Sequence, residues 1–358
     1  MKIAILSEYS GVIDRGVETW TRELATRLNK MGHDVCVFQG GEETDLGYKK
    51  IIVKQEIYWN LRSSENKVLS AVTYPYWGFL VLFFTLRCIV PLVRFHPDII
   101  LPTNGGFQTF IVRILTKILG IKMVVTGHAG IGASDKWNIL ARPDYFVSPS
   151  KRGEKWVKNL FIAKGLSVTH IPHGVDLSKF TPNAKKTKVP LDKPVVLTVS
   201  SFEPYKRIEL VIKAVARLKA VSLLVIGGDR EGGNTDKLAR KFLGKRYLKL
   251  RVKPNEMPSY YASCDVFSLV SEESEAFGIV YLEALASNLP VVATKDSLRE
   301  EIIGQAGILV DPTDVDAYSN ALEQAANKDW GNLPRKQAGK FNWDDIARQY
   351  EELFNKLI

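Results

Sequence analysis

Short, mostly β-branched runs alternating with stretches of helical periodicity constrain this chain more than any other feature. Lys2–Ser7, Asp34–Phe38, Asp98–Leu101, Lys122–Thr126, Asp144–Ser148 and Val168–Ile171 are largely apolar, as strands are when helices cover a parallel sheet on both faces. After the first run Val17, Trp20, Leu24, Leu28 and Met31 recur at spacings of three and four, and Gly32 follows, one face of a helix with its stop signal. Thr181–Pro194, with three prolines and four lysines, reads as a linker. Beyond it the alternation restarts at Val195–Val199 and a helix over Glu209–Leu218. It continues through Leu223–Ile226, Lys249–Val252, Asp265–Leu269, Pro290–Ala293 and Gly307–Val310. The pattern predicts two doubly wound α/β domains, 1–176 and 177–340, and a terminal amphipathic helix over 341–358 on which Ile346, Tyr350, Leu353 and Leu357 share one face. A length of 358 residues suits two cores. Dehydrogenases and nucleotide-sugar enzymes both use such pairs of domains, so the fold alone does not choose between them.

Composition narrows the partners. Apolar residues at 46% and charged residues at 25% describe an ordinary globular protein. Lys and Arg exceed Asp and Glu by ten, with 22 against 15 in residues 1–176 and 27 against 24 in residues 177–358. That excess suits phosphorylated ligands or an anionic membrane surface; no basic run with interleaved aromatics points to nucleic acid. Arg15, Lys151, Arg152, Lys155 and Lys158 give the first domain a basic face, read either as solvated surface or as attraction for a phosphorylated or membrane-borne acceptor. Cys36, Cys88 and Cys264 lack CxxC spacing, which argues against a disulfide framework or zinc site and for a reducing, cytoplasmic setting. Lys2–Leu6 is too short, and too soon followed by Glu8, for a signal peptide. Trp77–Val93 is interrupted by Thr85, Arg87 and Pro91 and falls short of the roughly 20 apolar residues of a spanning helix. It is expected to be a buried helix or a face resting peripherally on the cytoplasmic side of a membrane.

The chemistry concentrates in Ser271–Ala286. This segment follows a predicted strand, so its loop lies at the carboxyl end of the sheet, where doubly wound folds bind ligands. A helix is expected to begin near Ala276 or Phe277, presenting unpaired amides to a diphosphate, with Gly278 bringing no Cβ into the way. Glu275 and Glu283 are eight residues apart, roughly 12 Å along a helix axis and about 80° around it, a spacing that could hold hydroxyls at the two ends of an extended ligand. The alternative is a solvated acidic loop with one incidental glutamate on the helix.

The same stretch resembles the E-x7-E signature of the retaining glycosyltransferases of family 4, which have the GT-B fold. Asn288–Thr294 resembles the strand that follows it there. Gly16-Val17-Glu18 with Gly32-His33-Asp34 is similar to the family's amino-terminal glycine loop and first helix. His173-Gly174-Val175-Asp176 with Phe180 is similar to its NGVD-x3-F element, with His where Asn is usual. Gly227-Gly228-Asp229 resembles its GDG loop, and Asp344 its final helix. The resemblance implies two facing Rossmann-like domains with a cleft between them, the last helix crossing back to the first. It implies a metal-independent transfer of a sugar from a nucleotide diphosphate sugar to a glycan, lipid-linked or small hydroxyl acceptor, and no cofactor. Glu275 and the backbone of Ala276, Phe277, Gly278, Ile279 and Val280 would hold the sugar and diphosphate, Glu283 the ribose, and Lys206 the leaving charge. Gly16 and Gly228 would approach the donor, and Val252 opens the loop that would meet the base. His128, just past a predicted strand, would sit near the reacting sugar, with a purely structural histidine as the alternative. In the family's G-R-x4-K turn Ser201 stands where Arg is usual, and Arg207 is the neighbouring cation that could take its place. Asp314-Val315-Asp316 reads as a helix start, where acidic residues favour the dipole, rather than a metal motif. Two rivals stay open: a GT-B epimerase that needs no acceptor, and a non-catalytic sugar-nucleotide-binding subunit.

Overall fold

The computed structural model describes residues 1–13, 15–42, 47–54, 67–201, 203–227 and 233–358. The chain divides into two compact units, Met1–His173 with Trp343–Ile358, and Gly174–Asn342, where the sequence places the divisions at 176 and 340.

The first unit is a seven-stranded parallel sheet in the order β3-β2-β1-β4-β5-β6-β7. Its strands are β1 (Lys2–Ser7), β2 (Asp34–Gln39), β3 (Lys49–Ile52), β4 (Ile99–Pro102), β5 (Lys122–Thr126), β6 (Tyr145–Ser148) and β7 (Val168–His170). Its helices are α1 (Gly16–Lys30), α2 (Lys67–Phe95), α3 (Phe107–Leu119), α4 (Ala133–Leu140) and α5 (Lys151–Lys158). Alternation along β1 builds two cores. Ile3 and Ile5 pack with Trp20 and Leu24 of α1, whereas Ala4 and Leu6 pack with Phe84, Cys88 and Leu92 of α2. Strand β3 goes unread in the sequence. It is a lysine-bearing edge strand with only Ile51 and Ile52 to mark it, the composition edge strands use to discourage further pairing.

Helix α2 corrects a second expectation. It runs unbroken for 29 residues, through Thr85, whose hydroxyl donates to the Val81 carbonyl at 2.6 Å, through exposed Arg87, and through Pro91, which removes one amide from the ladder without ending it. Tyr76–Phe95, 20 residues of mean hydropathy 1.9, is long and apolar enough to cross a membrane by length and composition. One side of it, through Phe84, Cys88 and Leu92, is nevertheless part of the first unit's core.

The second unit is a six-stranded parallel sheet in the order β10-β9-β8-β11-β12-β13. It comprises β8 (Val195–Ser200), β9 (Ser222–Gly227), β10 (Tyr247–Leu250), β11 (Val266–Leu269), β12 (Val291–Thr294) and β13 (Gly307–Val310). Its helices are α6 (Ile208–Arg217), α7 (Asn234–Leu243), α8 (Met257–Tyr261), α9 (Ile279–Ala286), α10 (Ser297–Ile303), α11 (Val315–Asn327) and α12 (Leu333–Ala338). Strand β10 starts two residues earlier than the sequence indicates, because Tyr247 and Leu248 pair with Leu223 and Leu224. The last helix, α13 (Trp343–Asn355), belongs to the first unit. Ile346, Tyr350 and Phe354 complete the α1 side of its core, and the Tyr350 hydroxyl lies 3.1 Å from Thr126 Oγ1.

Candidate active site

In the second unit the strand order reverses between β8 and β11, neighbours whose onward connections leave in opposite directions. Ligands of doubly wound sheets bind outside the carboxyl ends of strands at such a switch point. Both predicted donor loops leave there, Ser201–Arg207 after β8 and Val270–Gly278 after β11. A bond from the Glu272 amide to the Tyr205 carbonyl (2.8 Å) joins them. Their tips meet in an ion pair: the Lys206 ammonium donates to the Glu275 carboxylate, both side chains being largely shielded from solvent. The same ammonium lies 4.8 Å above the Tyr205 ring.

The turn behind Glu275 depends on glycine. Gly278 has φ +86°, and a Cβ there would come within 2.6 Å of the Tyr281 ring. Any side chain would thus be strained and would collide. Helix α9 begins only at Ile279, with Gly278 as its N-cap, two or three residues later than expected. The Ile279 and Val280 amides at its start lack a helical partner, that of Tyr281 bonding the Gly278 carbonyl at 3.0 Å, and they follow directly on the loop that carries Glu275. The helical estimate of the Glu275–Glu283 separation therefore does not hold, since Glu275 stands in the loop. Glu283, on α9, accepts the Tyr261 hydroxyl at 2.8 Å. Burial and the Glu283 charge push the Tyr261 phenol well above its ordinary pKa, so it remains a donor.

Two arginines fix the loop from behind. Arg207, itself at φ +51°, donates from Nε to the Val270 carbonyl (2.7 Å) and from Nη2 to the Ser271 carbonyl and Thr294 Oγ1 (3.0 Å each). Fully buried Arg299 pairs with Asp296 at 2.6 Å and reaches Ser271 Oγ at 3.1 Å and the Glu272 carbonyl at 3.2 Å. Asp296 also caps α10, accepting from the Leu298 and Arg299 amides. Asp314 caps α11 through the Ala317 amide, and Asp316 lies 3.4 Å from Arg217.

In the first unit His128 follows β5. Its ring meets the edge of Trp20 at 4.6 Å and stacks on His173 at 5.5 Å, 18° from parallel. Although the residue as a whole is half-buried, Nε2 is shut off from solvent with no hydrogen-bond partner among the described residues. Burial pushes the imidazolium pKa down to about 3, so the ring is neutral at pH 7. Asp135 organises the segment after His128: it accepts the Ala129 and Gly130 amides and the Asn138 side chain, and burial raises its carboxyl to about 7 despite those bonds.

Two sequence profiles meet end to end on this chain. The profile of glycosyltransferase family 4 matches residues 15–179 and that of glycosyl transferases group 1 matches residues 179–340. This chain belongs to glycosyltransferase family 4. Among relatives of this transferase, the D-inositol 3-phosphate glycosyltransferase of Corynebacterium urealyticum is 29% identical, across 100% of this chain and 96% of that one. The sulfoquinovosyl transferase of Arabidopsis thaliana is 26% identical over 72% of this chain, and the match spans 56% of that longer protein. The fold is GT-B. An Anabaena protein, HepE, solved with UDP and glucose superimposes with a TM-score of 0.74 at 19% identity, over 99% of both chains.

Of the residues the sequence singles out in this transferase, Lys206 and Glu275 are in contact, and Gly278, Ile279 and Val280 form the turn and helix start beside them. The Phe277 side chain is buried in the core, edge-on to Phe341 at 6.3 Å, so only its backbone faces the loop. Ala276 and Val252 are half-buried, and Ser201 is exposed. Gly228 lies outside the described residues. Gly16 opens α1; the glycine its loop requires is Gly11, at φ +76°, where a Cβ would stand 2.5 Å from the Gly41 carbonyl oxygen. Arg299 and Asp135 escape the sequence reading. The signal for Arg299 was an arginine on the apolar stripe Leu298, Ile302 and Ile303; Asp135 gave none.

His128, His173 and Asp135 together set a pH dependence. His173 is held well below its ordinary value of 6.5 by burial and then by His128. Between about pH 4.8 and about pH 5.6 the unfolded chain carries protons on both histidines and almost none on Asp135. The folded unit carries one on Asp135 and none on the histidines. The folded state thus binds one proton fewer, and these groups lower stability on acidification by about 1.4 kcal/mol per pH unit. His128→Gln should remove that slope and Asp135→Asn should double it, as read from melting at about pH 4.8 and about pH 5.6. Equal slopes in all three proteins would refute the assignment.

Proposed function

We propose that this transferase moves a sugar from a nucleoside diphosphate sugar to a hydroxyl acceptor with retention of anomeric configuration, without a metal ion. The observation that carries the reading is the Lys206–Glu275 pair, at the switch point beside the Gly278 turn. The diphosphate lies against the first amides of α9, favoured by their unpaired donors and by the helix dipole. Lys206 exchanges its carboxylate partner for the phosphate, where it meets the negative charge that grows as the glycosidic bond breaks. Glu275, released, takes sugar hydroxyls, and Glu283, oriented by Tyr261, takes those of the ribose. Val252 borders the base. Neutral His128, half-buried, serves a hydroxyl as a hydrogen-bonding ring rather than as a charge. No side chain is assigned as a covalent nucleophile: the acceptor attacks on the face the diphosphate leaves, and the leaving phosphate takes its proton, so catalysis is positioning and electrostatic stabilisation. The buried free thiols of Cys36, Cys88 and Cys264 suit a reducing, cytoplasmic setting.

The decisive experiment offers a panel of nucleotide sugars with and without glycan, lipid-linked and small hydroxyl acceptors, and reads the anomeric configuration of the product by NMR. Acceptor-dependent transfer with retention is expected, and Lys206→Met should slow it on the order of 10²-fold. Conversion of the donor without acceptor would mean an epimerase. Donor binding without turnover would mean a carrier subunit, and inverted product would overturn the stereochemical assignment.

A further inference from the structure

Helix α2 has two apolar faces, and among the described residues one is covered and the other exposed. Phe79, Phe83, Leu86, Val90 and Val93 are exposed, Phe83 by 55% and Val90 by 57%. Their steps of four, three, four and three place them in a single stripe within about 80° of arc, on the side of the helix opposite Phe84, Cys88 and Leu92. The stripe runs about 21 Å, far more than a scatter of single surface hydrophobes. Helix α3 packs alongside and extends it: the Phe107 ring lies against Gly78, where a Cβ would come within 3.3 Å of it, and Ile114 and Ile118 are exposed beyond, Ile118 by 75%. Trp137 of α4, half-exposed, borders the patch edge-on to Phe110 at 6.2 Å.

The charges on the two helices that carry this patch are all positive. Neither Tyr76–Phe95 nor α3 contains an Asp or Glu, and between Tyr76 and Lys164 the chain carries twelve Lys and Arg against four Asp and Glu. Arg87 and Arg94, both exposed, lie along one border of the stripe, about 60–80° around the helix from its middle, where long side chains can lay their stems on apolar surface and lift their heads to water or phosphate; Arg87 also donates to the Lys54 carbonyl at 3.2 Å. A two-fold dimer through this face would set these cations against their own copies. The opposite partner, a negatively charged surface with an apolar interior, satisfies the stripe and its border at once. The buried side of α2 is committed to the core, so the helix can lie in such a surface but not cross it.

We propose that the outer face of α2 and α3 seats this protein on an anionic lipid bilayer, with the stripe in the acyl–headgroup boundary and Arg87 and Arg94 at the phosphates. The inference stands apart from the proposed chemistry, since seating and soluble-acceptor transfer can each be lost without the other. The test uses the whole chain and sedimentation with vesicles of phosphatidylglycerol and phosphatidylcholine, or of phosphatidylcholine alone. Wild-type protein should partition at least tenfold more strongly to the anionic vesicles, less so as salt rises. Phe83→Asp/Val90→Asp, both at exposed positions, should lower partition at least tenfold with an unchanged melting temperature. As a second readout, brominated lipids should quench the wild type more than Trp137→Phe. Absence of vesicle binding, or binding that Phe83→Asp/Val90→Asp leaves intact, would overturn the proposal. So would a lipid-free dimer that the same variant dissociates, which would assign the face to a second copy.

Discussion

Glu275→Gln should slow sugar transfer on the order of 10²–10³-fold while the protein still folds and binds nucleoside diphosphate. The substitution keeps the side chain's shape and removes its charge, at the one place where the loops after β8 and β11 join through an ion pair. Lys206 then loses the partner that aims it, and the donor sugar loses a carboxylate acceptor for its hydroxyls, whose charge-assisted hydrogen bonds are the stronger kind. Steady-state kinetics with the donor identified by the panel, together with UV melting, would separate lost chemistry from lost fold. A variant within tenfold of wild-type kcat and with unchanged melting would remove Glu275 from the mechanism.

Arg299→Leu should destabilise the second unit by about 3–5 kcal/mol, because it leaves the Asp296 charge buried without its partner. Ser271 and Glu272 also lose a donor, which frees the loop leading to Glu275. Asp296→Asn/Arg299→Leu should recover much of this loss. The amide still caps α10 through its oxygen, and exchanging a whole buried pair for uncharged groups costs far less than breaking it. Denaturant midpoints of the two single variants and the double variant close the cycle. A loss under about 1 kcal/mol for Arg299→Leu would mean that the pair does not secure this loop.

How far the sequence can be read follows from where the physics is local. Strands that are buried on both faces announce themselves, as Ile3–Leu6 and Val195–Val199 do, whereas β3, with two isoleucines at a lysine-bearing edge, does not. The loop that carries Glu275 is legible as a loop after a strand because its residues lie in one segment. The start of α9 is misjudged because Gly278 takes a left-handed backbone as the N-cap, a conformation that glycine permits but that its presence alone does not announce. Arg207 is similar. Its sequence position next to Lys206 suggests a phosphate ligand, but its left-handed backbone turns the guanidinium toward the Val270 and Ser271 carbonyls. Asp135 acquires its raised pKa only when the fold closes around it, so nothing near it in the chain foretells its role.

The terminal helix has a consequence for vectorial synthesis. Residues 343–355 supply Trp343, Ile346, Tyr350 and Phe354 to the core that also holds Trp20 and Leu24, residues translated long before them. Until α13 has been translated, that apolar surface stays bare, although the intervening residues 174–342 can already condense into their own sheet. The first unit is thus completed only after the second has been translated, and its open core is prone to aggregation until α13 emerges.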